Sequence, residues 1–121
     1  MTSSSQVPAV AGQLAWFTRD DARGREQHGR RPWLIVSSVE HRQLSDTLAI
    51  AVPCTRTDRG WPNHVRLTGS TSLTDPTFAM TEQPFTVSID RLHMLADSVD
   101  DSCVDQVAFW LHRWVVPSRA A

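Results

Sequence analysis

At 121 residues, with 40% hydrophobic and 21% charged side chains, the chain is sized for one domain around a single core and has a globular rather than a disordered composition. No apolar run approaches the roughly 20 residues of a membrane span. The opening MTSSSQVPAVAGQ lacks the charged-then-apolar order of a signal peptide, so the expected location is cytoplasmic. The two cysteines, Cys54 and Cys103, show neither CxxC nor Cys/His ligand spacing, which excludes a disulfide framework and a zinc site and predicts two buried free thiols. No metal or other cofactor is expected.

The net charge of -1 conceals an asymmetry. Residues 1–66 hold nine arginines against six acids, a balance of +3, and residues 67–121 hold three against seven, a balance of -4. All 12 basic residues are arginine. A guanidinium grips a phosphate through two parallel hydrogen bonds and stacks on bases, so the first half is expected to face an anion such as nucleic acid. A coding bias is the competing explanation for the missing lysines.

In chain order, the low-complexity TSSSQ start places a tail over residues 1–11. QLAWFT (Gln13–Thr18) reads as a half-buried strand, and PWLIVSS (Pro32–Ser38) as a nearly fully buried one; TLAIAVPCT (Thr47–Thr55) is the third. The charged loop GREQHGRRP joins the first two. NHVRLT alternates inward and outward residues, and FAMTEQ and FTVSI follow the turn-rich GSTSLTDPT. Prolines 32, 53, 62 and 84 are assigned to strand ends, where a missing N–H costs least. The period changes only at Asp101–Val115, where Val104, Val107, Ala108, Leu111 and Val115 form one helical stripe, with Asp100 as N-cap and Pro117 as stop. Residues 117–121 form a second tail. Short strands and one closing helix predict a small, strongly bent sheet or barrel over residues 12–116.

The segments EQHGRRP, VPCTRTDRGWPNHV and MTEQPFTVSIDRL, in that order and at that spacing, resemble the MazF/PemK family of toxin endoribonucleases of type II toxin–antitoxin systems. The correspondence takes in Gly12–Phe17, the E-Q-x-G-x-R-P loop at Glu26–Pro32, Ile35–Ser37, the V-P-x-T turn at Val52–Thr55, Pro62–Val65, Glu82–Leu92 and the terminal helix. The resemblance implies a mainly β fold with α, a small SH3-like barrel of bent antiparallel strands closed by the C-terminal helix. It further implies an mRNA interferase that cuts single-stranded RNA at specific sequences without metal, works as a homodimer, and is restrained by an antitoxin with an acidic, partly disordered tail.

Metal-free RNA cleavage uses the ribose 2′-OH as nucleophile on the adjacent phosphate, so the protein must supply a base, an acid and a cation. The resemblance assigns Arg31 to the charge developing on phosphorus and to the leaving oxygen, and Thr55 to a hydrogen bond with the scissile phosphate. Glu26 either takes the 2′-OH proton or holds an arginine in an ion pair; otherwise it offsets Arg23, Arg25 and Arg30. His28 is a further acid–base candidate in the same loop, or an idle surface histidine. RNA binding is assigned to Arg25, Gln27, Arg30, Arg56, Arg59, Trp61 and Gln83, arginine on phosphates and aromatic on bases. Trp61 alternatively packs over Pro62, and His64 either faces the cleft or lies on the surface. Where many members carry an arginine after the EQ pair, this chain has Pro84 and Phe85, which removes a positive charge from the expected RNA path.

Two other classes stay open on the sequence. A gyrase-poisoning toxin shares this small barrel and relies on the end of the C-terminal helix, and a non-catalytic barrel would use Arg31 and Thr55 only to bind RNA or a partner protein. The intact arginine loop and the polar PSRAA end favour the nuclease.

Overall fold

The computed structural model describes residues 9–17 and 31–115. Among the described residues, eight strands, two helices and one 3-10 turn follow one another: β1 (Gln13–Phe17), β2 (Arg31–Ile35), α1 (Val39–Leu44), β3 (Leu48–Thr55), β4 (His64–Arg66), β5 (Gly69–Ser70), β6 (Phe78–Met80), β7 (Phe85–Ser88), the 3-10 turn Ile89–Arg91, β8 (His93–Val99) and α2 (Asp101–Val115). All strand pairs are antiparallel, in the order β4-β6-β3-β2-β1-β8-β5, with β7 on β3. Packing begins before the expected start at residue 12: Ala9 is buried, and the Ala11 N–H donates to the Ser37 carbonyl at 2.8 Å.

The fold is the expected one, a strongly bent antiparallel sheet with a C-terminal helix, and the sheet curls without closing. Its two edge strands, β4 and β5, are consecutive in sequence, so the sheet curls far enough for Leu67 and Thr68 alone to carry the chain from one edge to the other. Those two residues point their backbone bonds elsewhere: the Leu67 N–H donates to Thr77 and the Thr68 carbonyl accepts from Asp100. Strands of three and two residues leave no run from which a closing ladder could be built.

The central strands read as continuous apolar runs because both faces of the sheet are covered. One face carries Leu14, Leu34, Val52, Cys54, Val65 and Ala79 against α2, and the other carries Ala15, Phe17, Trp33, Ile35, Ala51 and Val87. Both free thiols are buried as expected. Pro53 lies inside β3 rather than at its end, at the point where the strand passes from β7, paired through Ala51, to β6, paired from Cys54.

Helix α2 spans the predicted residues and is capped by Asp100, whose carboxylate accepts the Cys103 N–H and the Thr68 hydroxyl, both at 2.9 Å. Its inward side is Cys103, Val104, Val107, Trp110 and Leu111. Ala108 and Val115, assigned to the buried stripe, are exposed. The helix is turned toward Cys103, which is fully buried and whose Sγ reaches the Arg66 carbonyl at 3.6 Å.

Strand β8 and helix α1 have no counterpart in the predicted elements. Arg42 of α1 is buried and donates to the carbonyls of Ser45, Asp46 and Leu48, so one of the nine arginines of the first half is a structural clamp rather than an anion ligand.

Candidate active site

A cleft of about 850 Å³ opens where β2 begins and β3 ends, lined by Arg31, Pro32, Thr55, Arg56, Arg66 and Phe78, with Trp16, Cys54 and the segment 73–77 on its walls. Trp33 pairs with Pro53 where β2 and β3 run side by side, and Arg31 at the start of β2 and Thr55 at the end of β3 both line this cleft. The predicted Arg31 and Thr55 are thus brought into one cleft on adjacent strands.

The turn after Thr55 is held by its own side chains. The Thr57 N–H donates to Thr55 Oγ1 at 3.1 Å, and the Gly60 N–H donates to Asp58 Oδ1 at 3.0 Å, with Gly60 in the left-handed region at φ 73°. A threonine hydroxyl has one donor and two acceptor sites. With one acceptor site used by Thr57, the O–H proton of Thr55 is available to an anion in the cleft.

Arg56 lies at the rim and forms an ion pair with Asp75 at 3.1 Å, both side chains exposed. The wall carrying Asp75 is tethered from below, where Asp97 of β8 accepts the Ser72 N–H at 2.8 Å and the Ser72 hydroxyl at 2.7 Å. Cys54 is no nucleophile despite lining the cleft: burial, reinforced by the neighbouring Cys103, pushes its thiol far above the ordinary range, and thiolate is the reactive form.

Arg59, Trp61 and Gln83 lie outside the cleft lining. Trp61 is half exposed, with its ring 4.7 Å from that of His64 and the Arg59 guanidinium 5.6 Å from its centroid. Gln83 is exposed beside Glu82. His64 is neither in the cleft nor on the surface: it is buried, and its Nε2 lies 3.1 Å from Glu82, which also accepts Asn63 Nδ2 at 2.8 Å. Burial alone would raise the Glu82 carboxyl, but the hydrogen bonds from His64, its own N–H and Gln83 outweigh it and hold the group below its ordinary value. Phe85 meets Trp33 edge-on at 5.6 Å.

Arg25, Glu26, Gln27, His28 and Arg30 lie outside the described residues. Arg66, Phe78 and Asp75 were not singled out by sequence. The only sequence signal for Arg66 was its outward place in NHVRLT, and that alternation does not say which cleft an outward residue faces.

The family model for PemK-like, MazF-like toxins of type II toxin–antitoxin systems matches residues 11–115. The endoribonuclease toxin MazF of Escherichia coli K12 is 35% identical over 66 residues, 54% of this chain; the matched part spans only 58% of that relative. Among solved structures, MazF of Deinococcus radiodurans superposes with a TM-score of 0.69 at 25% identity, covering 89% of this chain and 96% of that one. A mycobacterial endoribonuclease in complex with its cognate antitoxin gives 0.71 at 24%, covering 90% and 97%. With nearly the whole described chain inside the family model and the same curled sheet and terminal helix in the solved relatives, the chain belongs to the PemK-like, MazF-like toxins of type II toxin–antitoxin systems.

Proposed function

We propose that this toxin is a sequence-specific, metal-independent endoribonuclease acting on single-stranded mRNA in the cytoplasm. The observation that supports the reading is that Arg31 and Thr55 line one cleft from adjacent strands, a cation and a hydroxyl on the same surface. In this reaction the 2′-OH gives up its proton, O2′ bonds to phosphorus, and the bond from phosphorus to O5′ breaks. O5′ then takes a proton from water, leaving a 2′,3′-cyclic phosphate and a 5′-OH. The Arg31 guanidinium stabilises the charge gathering on the phosphorane and hydrogen-bonds the departing O5′. The Thr55 O–H donates to a non-bridging oxygen. The 2′-OH proton goes to Glu26, with His28 as the second candidate.

Arg25, Gln27, Arg30, Arg56 and, beyond the cleft, Arg59, Trp61 and Gln83 are proposed to hold flanking nucleotides. A homodimer is supported by Phe109, Trp114 and Val115, large apolar side chains left exposed along the last turns of α2. The proposed antitoxin offers an acidic tail that competes with RNA for the cleft arginines.

Incubation of the purified protein with a mixed RNA pool in EDTA, with mapping of the new 5′ ends, tests the reading. Cutting is expected to persist, to leave 5′-OH ends, and to stop when the sugar at the cut is 2′-deoxy. Cutting of the deoxy-substituted RNA overturns the mechanism.

A further inference from the structure

Nothing in the sequence pattern singles out Arg66 or Phe78, yet the register of the sheet sets both in line with Thr55. Thr55 of β3 pairs directly with Phe78 of β6, and Phe78 pairs on its other edge with Arg66 of β4. Arg31 begins β2, the neighbour of β3 on its other side, and lines the same cleft. Thr55, Phe78 and Arg66 therefore form one row across three strands, with Arg31 on the fourth. Strands lie about 4.8 Å apart, so the four strands span about 14 Å. Residues in direct register share a face of the sheet, and all four line the same cleft.

Across the four strands the chemistry is cation, hydroxyl, half-buried aromatic ring, cation. Of the three cleft arginines, Arg56 is already paired with Asp75. Among the described residues no carboxylate pairs with the side chain of Arg31 or Arg66. Arg66 is exposed to solvent and also lines the 850 Å³ cleft, with Phe78 standing between it and Thr55 in the register of the strands.

We propose that Arg66 and Phe78 form a second RNA subsite of this chain: Arg66 holds a backbone phosphate away from the scissile one, and Phe78 stacks the base between them. The RNA then lies across the strands, from β2 toward β4. The inference rests on the endoribonuclease reading for its substrate, and it assigns Arg66 to binding and not to chemistry, since the reacting phosphate is assigned to the Arg31 end of the cleft. The Arg66 backbone is anchored through β6 and by Cys103, so its exposed side chain can be changed without disturbing the fold.

The test compares binding of a short mixed-sequence single-stranded RNA across a salt series with single-turnover cleavage. Arg66→Gln is expected to lower the slope of log affinity against log salt by about 0.7, the value of one single-strand phosphate contact. Arg66→Lys, which keeps the charge, is expected to retain the slope. Phe78→Leu is expected to weaken binding by roughly 5- to 150-fold, the loss of one base stack, with the slope unchanged. In all three the affinity is expected to change more than the rate of cutting bound RNA, because the reacting phosphate is assigned to the Arg31 end of the cleft. If Arg66→Gln leaves both affinity and slope unchanged while the wild type cuts RNA, the subsite is overturned and the nuclease reading stands. If the wild type binds RNA with this dependence on Arg66 but cuts none, the subsite is supported and the nuclease reading is overturned.

Discussion

The Thr55 hydroxyl accepts the Thr57 backbone N–H at 3.1 Å, so one side chain both shapes the turn and lines the cleft. Thr55→Ser keeps both roles and is expected to cut RNA within a few-fold of wild type. Thr55→Val keeps the side-chain volume but loses both the turn hydrogen bond and the hydroxyl, and its single-turnover rate is expected to fall by about 10²–10³, as on removing one oxyanion donor. Single-turnover assays on both variants check this, and equal rates for Val and Ser would remove Thr55 from the chemistry.

The Arg56–Asp75 pair is exposed on both sides, so it adds little to stability but withholds a cation from the cleft. Asp75→Asn is expected to leave the melting temperature unchanged, tighten RNA binding at low salt, and steepen the salt slope by about 0.7. A variant that binds RNA with the wild-type slope would show that Arg56 contacts no phosphate.

Acid stability is expected to depend on Glu82. Its folded-state carboxyl is held below the ordinary value of 4.5, so its contribution is fully present above that value and is lost as the pH falls through the lowered one. Urea unfolding midpoints measured across the acid range should therefore drop less steeply for Glu82→Gln than for the wild type. Parallel curves would mean that the pair with His64 does not govern the acid limb.

Gly69 occupies φ 118°, and a Cβ placed there would meet the Asp100 nitrogen at 2.5 Å and the Val99 carbonyl carbon at 2.9 Å. Gly69→Ala is expected to destabilise the fold by about 1–3 kcal/mol through backbone strain. Calorimetry checks this as a melting point several degrees lower, with normal cleavage per folded molecule at low temperature.

Phe109 is 53% exposed on the outer side of α2. Sedimentation at micromolar concentration is expected to show a dimer for the wild type and a monomer for Phe109→Asp, with little change in melting of the monomer fold. A monomeric wild type would count against the homodimer.

How much was legible in the sequence depends on the range of the signal. The helix Asp101–Val115 and its cap announce themselves within one stretch, and Arg31 and Thr55 sit in short motifs that precede or end apolar runs. Strand β8 was hidden because HMLADSV does not alternate: Asp97 is there to hold Ser72, and a two-residue neighbour leaves that edge polar. Helix α1 is six residues long and fixed by Ser38 and the buried Arg42, too short to display a period. Arg66 and Phe78 become part of the cleft only through pairing between strands far apart in sequence, and no local pattern encodes that register.

The first strand waits for the last. β1 lies between β2 and β8, so the ordering of Gln13–Phe17 requires a strand that begins at His93. Long-range pairing of this kind slows folding, because the loop must close before the contact repays it. During synthesis, the residues bearing Arg31 and Thr55 emerge long before β8 can pair with β1 and α2 can cover one face of the sheet. A growing chain still on the ribosome therefore carries Arg31 and Thr55 without the complete sheet that holds them in one cleft, and a chain stopped before His93 cannot pair its first strand on both edges.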